Sequence, residues 1–254
     1  MTSRFRPLFS RLFQTRQRVA VTALASAVVG VPLVRVAVLD YHDYLTIGAG
    51  GVPYNAVGWL IQLSLRPFKK EPLHTSCYDD PRSVAQAGPN GHVAFLSEHD
   101  VPLRNPPRPK VGSWTVPSRQ MTDFATEGIK ARYHSFLESL ASSSPAQLKI
   151  APSLAERRGP ALFAASESPL HPIAKKTRGE IAHMHGIDGS LHVNLAPKDA
   201  KLVLERGWGE RHPLSGRVLY LGLVMVYAPR GEEELKVVEK ITRASLRFML
   251  GEDA

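Results

Sequence analysis

The stretch Glu180-Ile-Ala-His183-Met-His185-Gly-Ile-Asp-Gly-Ser190-Leu-His192-Val-Asn194-Leu195 decides the reading of the fold. Two strand-like runs flank Gly186-Ile187-Asp188-Gly189, which has the chemistry of a hairpin turn. A turn centred on Ile187-Asp188 sets His183 opposite His192 and His185 opposite Ser190. Side chains alternate along a strand. Ile181, His183, His185, Ser190, His192 and Asn194 therefore share one face, and Ala182, Met184, Leu191, Val193 and Leu195 the other. The second face is apolar and calls for a helical cover. In this register Glu180 falls on the apolar side, so it sits at a sheet edge or a bulge redirects it.

The pattern extends in both directions. Downstream, a helix is expected near 198–206 and a strand at 218–227. A final helix opens at Gly231-Glu-Glu-Glu234, where acids favour the N-terminus, and runs to about Leu250. Upstream, strands are expected at 147–151 and 161–165. Met121, Phe124, Ile129, Tyr133, Phe136, Leu137 and Leu140 recur at helical spacing, predicting a helix over 119–141. Short strands are read at 92–96 and 112–116 in a stretch rich in Pro and Gly. This mixture indicates α+β: an antiparallel sheet with helices packed on one face.

The N-terminus is different. Residues 1–39 hold six arginines and no acid, and 19–39 are apolar apart from Arg35. A helix needs about 20 residues to cross the hydrocarbon core. Residues 1–18 are read as a basic cytosolic tail, because positive charge stays inside. Residues 19–39 are read as a single-pass anchor, with 40–117 an irregular linker and interfacial segment and 118–254 the α+β domain. The endoplasmic reticulum is the membrane expected; an Arg-rich, acid-free start also suits mitochondrial targeting. Ala56–Leu65, followed by Arg66, Lys69 and Lys70, suits an interfacial helix or one packed on the domain.

The net charge of +9 comes largely from that tail: residues 40–254 hold 26 basic and 23 acidic side chains. With no basic stripe interleaved with aromatics, nucleic acid is not an expected partner. One cysteine, Cys77, excludes an intramolecular disulfide and a Cys-based zinc site.

Three imidazoles on one strand face, with His212 close in sequence, are the chemical signal. They would repel one another if all were charged, so at least one is neutral and able to take a proton. Two chemistries fit. His183, His185, His192 and His212 act as general bases and donors toward an acidic organic substrate, or they bind iron, copper or zinc. Gly207-Trp208-Gly209 and Arg211-His212-Pro213 read as a lid that stacks Trp208 on a planar ligand, or Trp208 is a core plug. Tyr227-Ala-Pro-Arg230 ends a buried strand, and Arg230 fixes an anion or caps structure.

At these residues the chain resembles the fungal luciferase family, membrane-associated enzymes that oxidise 3-hydroxyhispidin. The resemblance rests on Glu180-Ile-Ala-His-Met-His185, Leu191-His192, Gly207-Trp-Gly-x-Arg-His-Pro-Leu214 with Gly216, Tyr227-Ala-Pro-Arg230 with Glu232–Glu234, Val237-Val-Glu239 and Ala244-Ser245. It covers roughly residues 178–249 and is loose over 40–170. It implies that molecular oxygen adds to a hydroxy-pyrone, carbon dioxide leaves and an excited product emits light, with oxygen as co-substrate and no cofactor. On that reading His183, His185, His192 and His212 are catalytic, and Glu180, Asn194, Trp208, Arg211, Tyr227 and Arg230 bind an aromatic or pyrone substrate. The 186–189 turn is shorter than the family's, and 217–226 is shorter and more aliphatic. A metalloenzyme and a non-catalytic, membrane-anchored small-molecule binding module stand as the alternatives.

Overall fold

The structure, a computed structural model, describes residues 6–165 and 171–252. The chain divides between Thr46 and Ile47 into two compact units. The first is one helix, α1 (Arg6–Thr46). At 1.5 Å per residue it runs about 60 Å, roughly twice the thickness of a hydrocarbon core. Its span from Gln17 to Thr46 is long and apolar enough to cross a membrane. Val19, Leu24, Val28 and Leu33 are all more than 60% exposed, so the chain itself offers them no burial. The basic tail expected over 1–18 is not separate from this helix from Arg6 onward, and residues 1–5 lie outside the described ones.

The second unit carries one six-stranded sheet. Its strands are β1 (Leu148–Pro152), β2 (Pro160–Ala164), β3 (Glu180–Met184), β4 (Leu191–Asn194), β5 (Gly209–Arg211) and β6 (Leu223–Val226). They lie in the order β1-β2-β3-β4-β6-β5, every neighbour antiparallel. Before the sheet come α2 (Ala56–Leu65), α3 (Pro81–Gln86) and α4 (Glu127–Ser143). The short α5 (Pro172–Lys176) precedes β3, α6 (Pro197–Glu205) follows β4, and α7 (Glu232–Leu250) closes the chain.

The apolar sheet face is covered as its pattern requires. Ala182, Met184, Leu191, Val193, Val224 and Val226 share one core with Tyr133 and Leu137 of α4, Val203 and Leu204 of α6, and Val238, Ile241 and Phe248 of α7. Each such aliphatic or aromatic side chain contributes about 1.5–3 kcal/mol when fully buried. Tyr133 of α4 and Thr242 of α7 join the two helices through a buried 3.0 Å hydroxyl–hydroxyl bond.

Several boundaries differ from the sequence reading. The helix expected over 119–141 starts at Glu127, where the Thr126 hydroxyl accepts from the Ile129 N–H. No strand forms at 92–96 or 112–116; Val111 and Gln120 make an isolated bridge. The strand expected over 218–227 is confined to 223–226. The globular unit begins at Ile47 rather than 118. Residues from 47 to 117 are tied into it by side chains rather than by regular structure. Gln62 accepts from Thr115 N–H, and Asn90 donates to the Phe248 and Glu252 carbonyls. Asp199 accepts from the N–H groups of Phe95 and Leu96. Such contacts leave no periodic trace in a sequence.

In α2 one side packs on the domain and the other faces outward. Gln62 is buried, while Val57, Leu60 and Ile61 stay exposed on the outer side.

Candidate active site

The β3–β4 hairpin has the expected register: Ala182 faces Val193, His183 faces His192 and Met184 faces Leu191. The His185 N–H donates to the Ser190 carbonyl at 2.7 Å, and the Ser190 N–H to the Asp188 carboxylate at 2.7 Å, which closes the turn. Gly189 adopts φ +81°, and a Cβ there would meet Ala125 at 2.5 Å.

A bulge resolves the position of Glu180. Leu162 of β2 faces Ala182, yet Phe163 faces Glu180, so Ile181 is an extra residue in β3. The shift turns the Glu180 carboxylate off the core and toward the histidines. Its Oε1 lies 2.8 Å from His183 Nδ1 and accepts from the Ser153 hydroxyl at 2.7 Å. Its Oε2 accepts from the backbone N–H groups of Leu154 and Ala155. Burial alone would raise this acid, but the bond to His183, that ring's charge and the donors from Ser153 and Ala155 hold it below its ordinary value.

Four imidazoles converge. Ring centres lie 5.4 Å apart for His183 and His192, 5.4 Å for His183 and His185, 4.8 Å for His185 and His192, and 5.2 Å for His192 and His212. His183, His185 and His212 are buried and His192 is partly so. His185 Nδ1 is 2.9 Å from the Ser190 hydroxyl and 3.7 Å from the Asp188 carboxylate. His212 Nδ1 accepts from the Leu214 N–H at 3.1 Å, so the neutral ring carries its proton on Nε2. Burial, then the nearby His185 and His183, push His212 down to about 3. Burial also pushes His192 well below the usual imidazole range, followed by His185, His212 and His183; the Val224 carbonyl offsets only part of this. At neutral pH the wall therefore contains uncharged imidazole.

These rings, with Glu180 and Asn194, line a cavity of about 570 Å³. Val116, Leu154, Leu214, Leu219 and Tyr220 add apolar surface, and Lys176 and Arg178 stand among the lining residues. The volume suits a small organic molecule.

The other four expected site residues lie elsewhere. Gly209–Arg211 is not a lid: it pairs with β6 as an edge strand, Gly209 facing Val226 and Arg211 facing Val224. A Cβ at Gly209 would strike the Met225 carbonyl at 2.5 Å, so the glycine permits this pairing. Trp208 is 3% exposed and donates through Nε1 to the Pro102 carbonyl. It is the core plug. Arg104 lies 5.5 Å over the rings of both Trp208 and Tyr227 and pairs with Glu234 at 2.8 Å. Tyr227 donates to Glu210, and Arg230 to Glu234 and the Asn105 carbonyl. Arg211 reaches the Cys77 sulfur at 2.7 Å and lines a separate cavity.

One pair bordering the site carries no sequence signal. Arg119 is 1% exposed, donates to the carbonyls of Ile47 and Ala49, and forms an ion pair with Glu156, a cavity-lining residue.

Comparisons with known proteins place the hairpin within a known family. A Luciferase domain model matches residues 178–245, from the start of the hairpin into α7. The chain is 33% identical over 267 residues to a protein named Luciferase from Armillaria mellea, covering 97% of this chain and 94% of that one. It is 31% identical to the Luciferase of Neonothopanus nambi, with the same two coverages, and 31% identical to that of Armillaria ostoyae, covering 96% and 93%. No solved structure matches it. With relatives of this identity aligned along nearly the whole length, the chain belongs to the fungal luciferase family.

Proposed function

We propose that the protein is an oxygen-dependent oxidoreductase acting on a hydroxy-pyrone of the hispidin type, or a related phenolic, with decarboxylation and light emission as readouts. The observation that carries the reading is the convergence of four imidazoles and Glu180 on one cavity. The Glu180 carboxylate accepts the hydrogen bond of His183 Nδ1–H, which leaves Nε2 as the basic atom. That atom removes the acidic enol proton, and the resulting anion reduces and binds molecular oxygen. Both oxygen atoms enter the product framework as carbon dioxide leaves. His212, protonated on Nε2, donates to the oxyanion that develops. Oxygen is the co-substrate and no cofactor is invoked.

A membrane location belongs to the same proposal. It is supported by the apolar span of α1 and the exposed Val57, Leu60 and Ile61 of α2. The endoplasmic reticulum is the proposed membrane.

The full-length chain mixed with 3-hydroxyhispidin in air should consume oxygen and release carbon dioxide; absence of turnover removes that substrate. A second reading, a metalloenzyme, is favoured by one observation: ligand atoms of His183, His185 and His192 all lie within 4.8 Å of one another. Stoichiometric iron, copper or zinc by elemental analysis, with activity lost to chelators, would select it over the metal-free reaction.

A further inference from the structure

We propose that the rim of the histidine cavity docks on an anionic lipid surface, so that the cavity opens onto a bilayer rather than into bulk water. The inference stands apart from the reaction assigned to the cavity. Three segments, the second running from the C-terminal end of α5, meet at this mouth, since Leu154, Lys176, Arg178, Val218 and Leu219 all line the cavity.

Each segment carries exposed cations. The first has Arg157 and Arg158, the second Lys175, Lys176 and Arg178, and the third Arg217. None of the six makes an ion pair among the described residues. By contrast, the one acid within 153–159, Glu156, is buried against Arg119, and neither 174–179 nor 215–219 contains an acid. Two of the segments also hold outward apolar side chains beside these cations. Leu154 is 40% exposed, Val218 57% and Leu219 38%.

A soluble anion would account for the cations but not for exposed Leu and Val at the same mouth. An apolar partner would account for the reverse. A headgroup layer over acyl chains satisfies both, because phosphates meet the cations while the aliphatic tips enter the hydrocarbon boundary. The arrangement would deliver an apolar planar substrate from the membrane to the imidazoles without passage through water.

The test uses the full-length chain in nanodiscs of phosphatidylcholine, with or without about one-third phosphatidylserine. Hydrogen exchange at 154–158, 175–178 and 216–219 should slow about tenfold or more in the anionic discs alone. A Leu219→Trp variant should gain fluorescence quenched by bromolipid, over the wild-type background. Replacing Arg157, Arg158 and Arg217 by Ser should abolish both signals. At about fivefold per cation, three removals shift the docked population on the order of 100-fold. Equal exchange in both discs overturns the proposal. So does protection that survives the triple substitution, or equal protection by soluble polyglutamate, which would point to an acidic protein instead.

Discussion

Glu180 Oε1 and His183 Nδ1 lie 2.8 Å apart, three residues from one another on a single strand. In a regular strand such residues point to opposite faces. They meet because Ile181 bulges, and the carboxylate then fixes which nitrogen of His183 is left basic.

Replacing Glu180 by Gln keeps the shape and removes the charge. Turnover should fall on the order of 10²-fold or more with the KM little changed, since the base loses its orienting carboxylate. Steady-state oxygen uptake checks this, with circular dichroism confirming an intact fold. A variant that turns over like wild type would remove His183 from the role of base.

Trp208→Phe separates a plug from a lid. Trp208 is buried and bonded to the Pro102 carbonyl, outside the cavity. Loss of that bond should cost about 1 kcal/mol of stability. Thermal melting should register the change, while the KM for an aromatic substrate stays the same. A raised KM at unchanged stability would return Trp208 to the binding surface.

Arg119→Ala should destabilise the globular unit by about 3–5 kcal/mol, because it strands the buried Glu156 carboxylate and two carbonyls. Gly50→Ala tests the same cradle sterically, since a Cβ there would collide with the Arg119 guanidinium and the Glu156 carboxylate. Denaturant unfolding of each variant gives the comparison. The double change Arg119→Met with Glu156→Leu should recover much of the loss.

Asp199 makes stability depend on pH with an unusual sign. Burial raises its pKa from 3.8 to about 6, against the N–H groups of Leu96 and Phe95. Between those values the folded state holds a proton that the unfolded chain has lost. Stability should therefore fall as pH rises from about 4 to about 6, by on the order of 2–3 kcal/mol, and level off above. Asp199→Asn should flatten that slope in melts taken across the window.

The sheet and its helical cover were legible because their patterns are local and periodic. The hairpin alternation located His183, His185, His192 and Asn194 on one wall, and the register matches residue for residue. Alternation alone allows two outcomes for Glu180, since a bulge depends on pairing with the separate strand β2. Trp208, Arg211, Tyr227 and Arg230 were drawn to the site by their chemistry. Their surroundings are set by Arg104, Cys77, Glu210 and Glu234, contacts that no spacing announces. The 47–117 stretch read as linker for the same reason. It folds by single side chains capping remote backbone, as Asn90 and Asp199 do.

The extra residue in β3 makes the meeting of acid and imidazole depend on strand register as well as on composition. Pairing Ile181 with Phe163 in a regular register would leave every acid and imidazole present, yet rotate the carboxylate back into oil beneath the helices. Within such a lineage, a one-codon gap at 181 would spare the carboxylate, because an acid and an imidazole two apart on a regular strand already share a face.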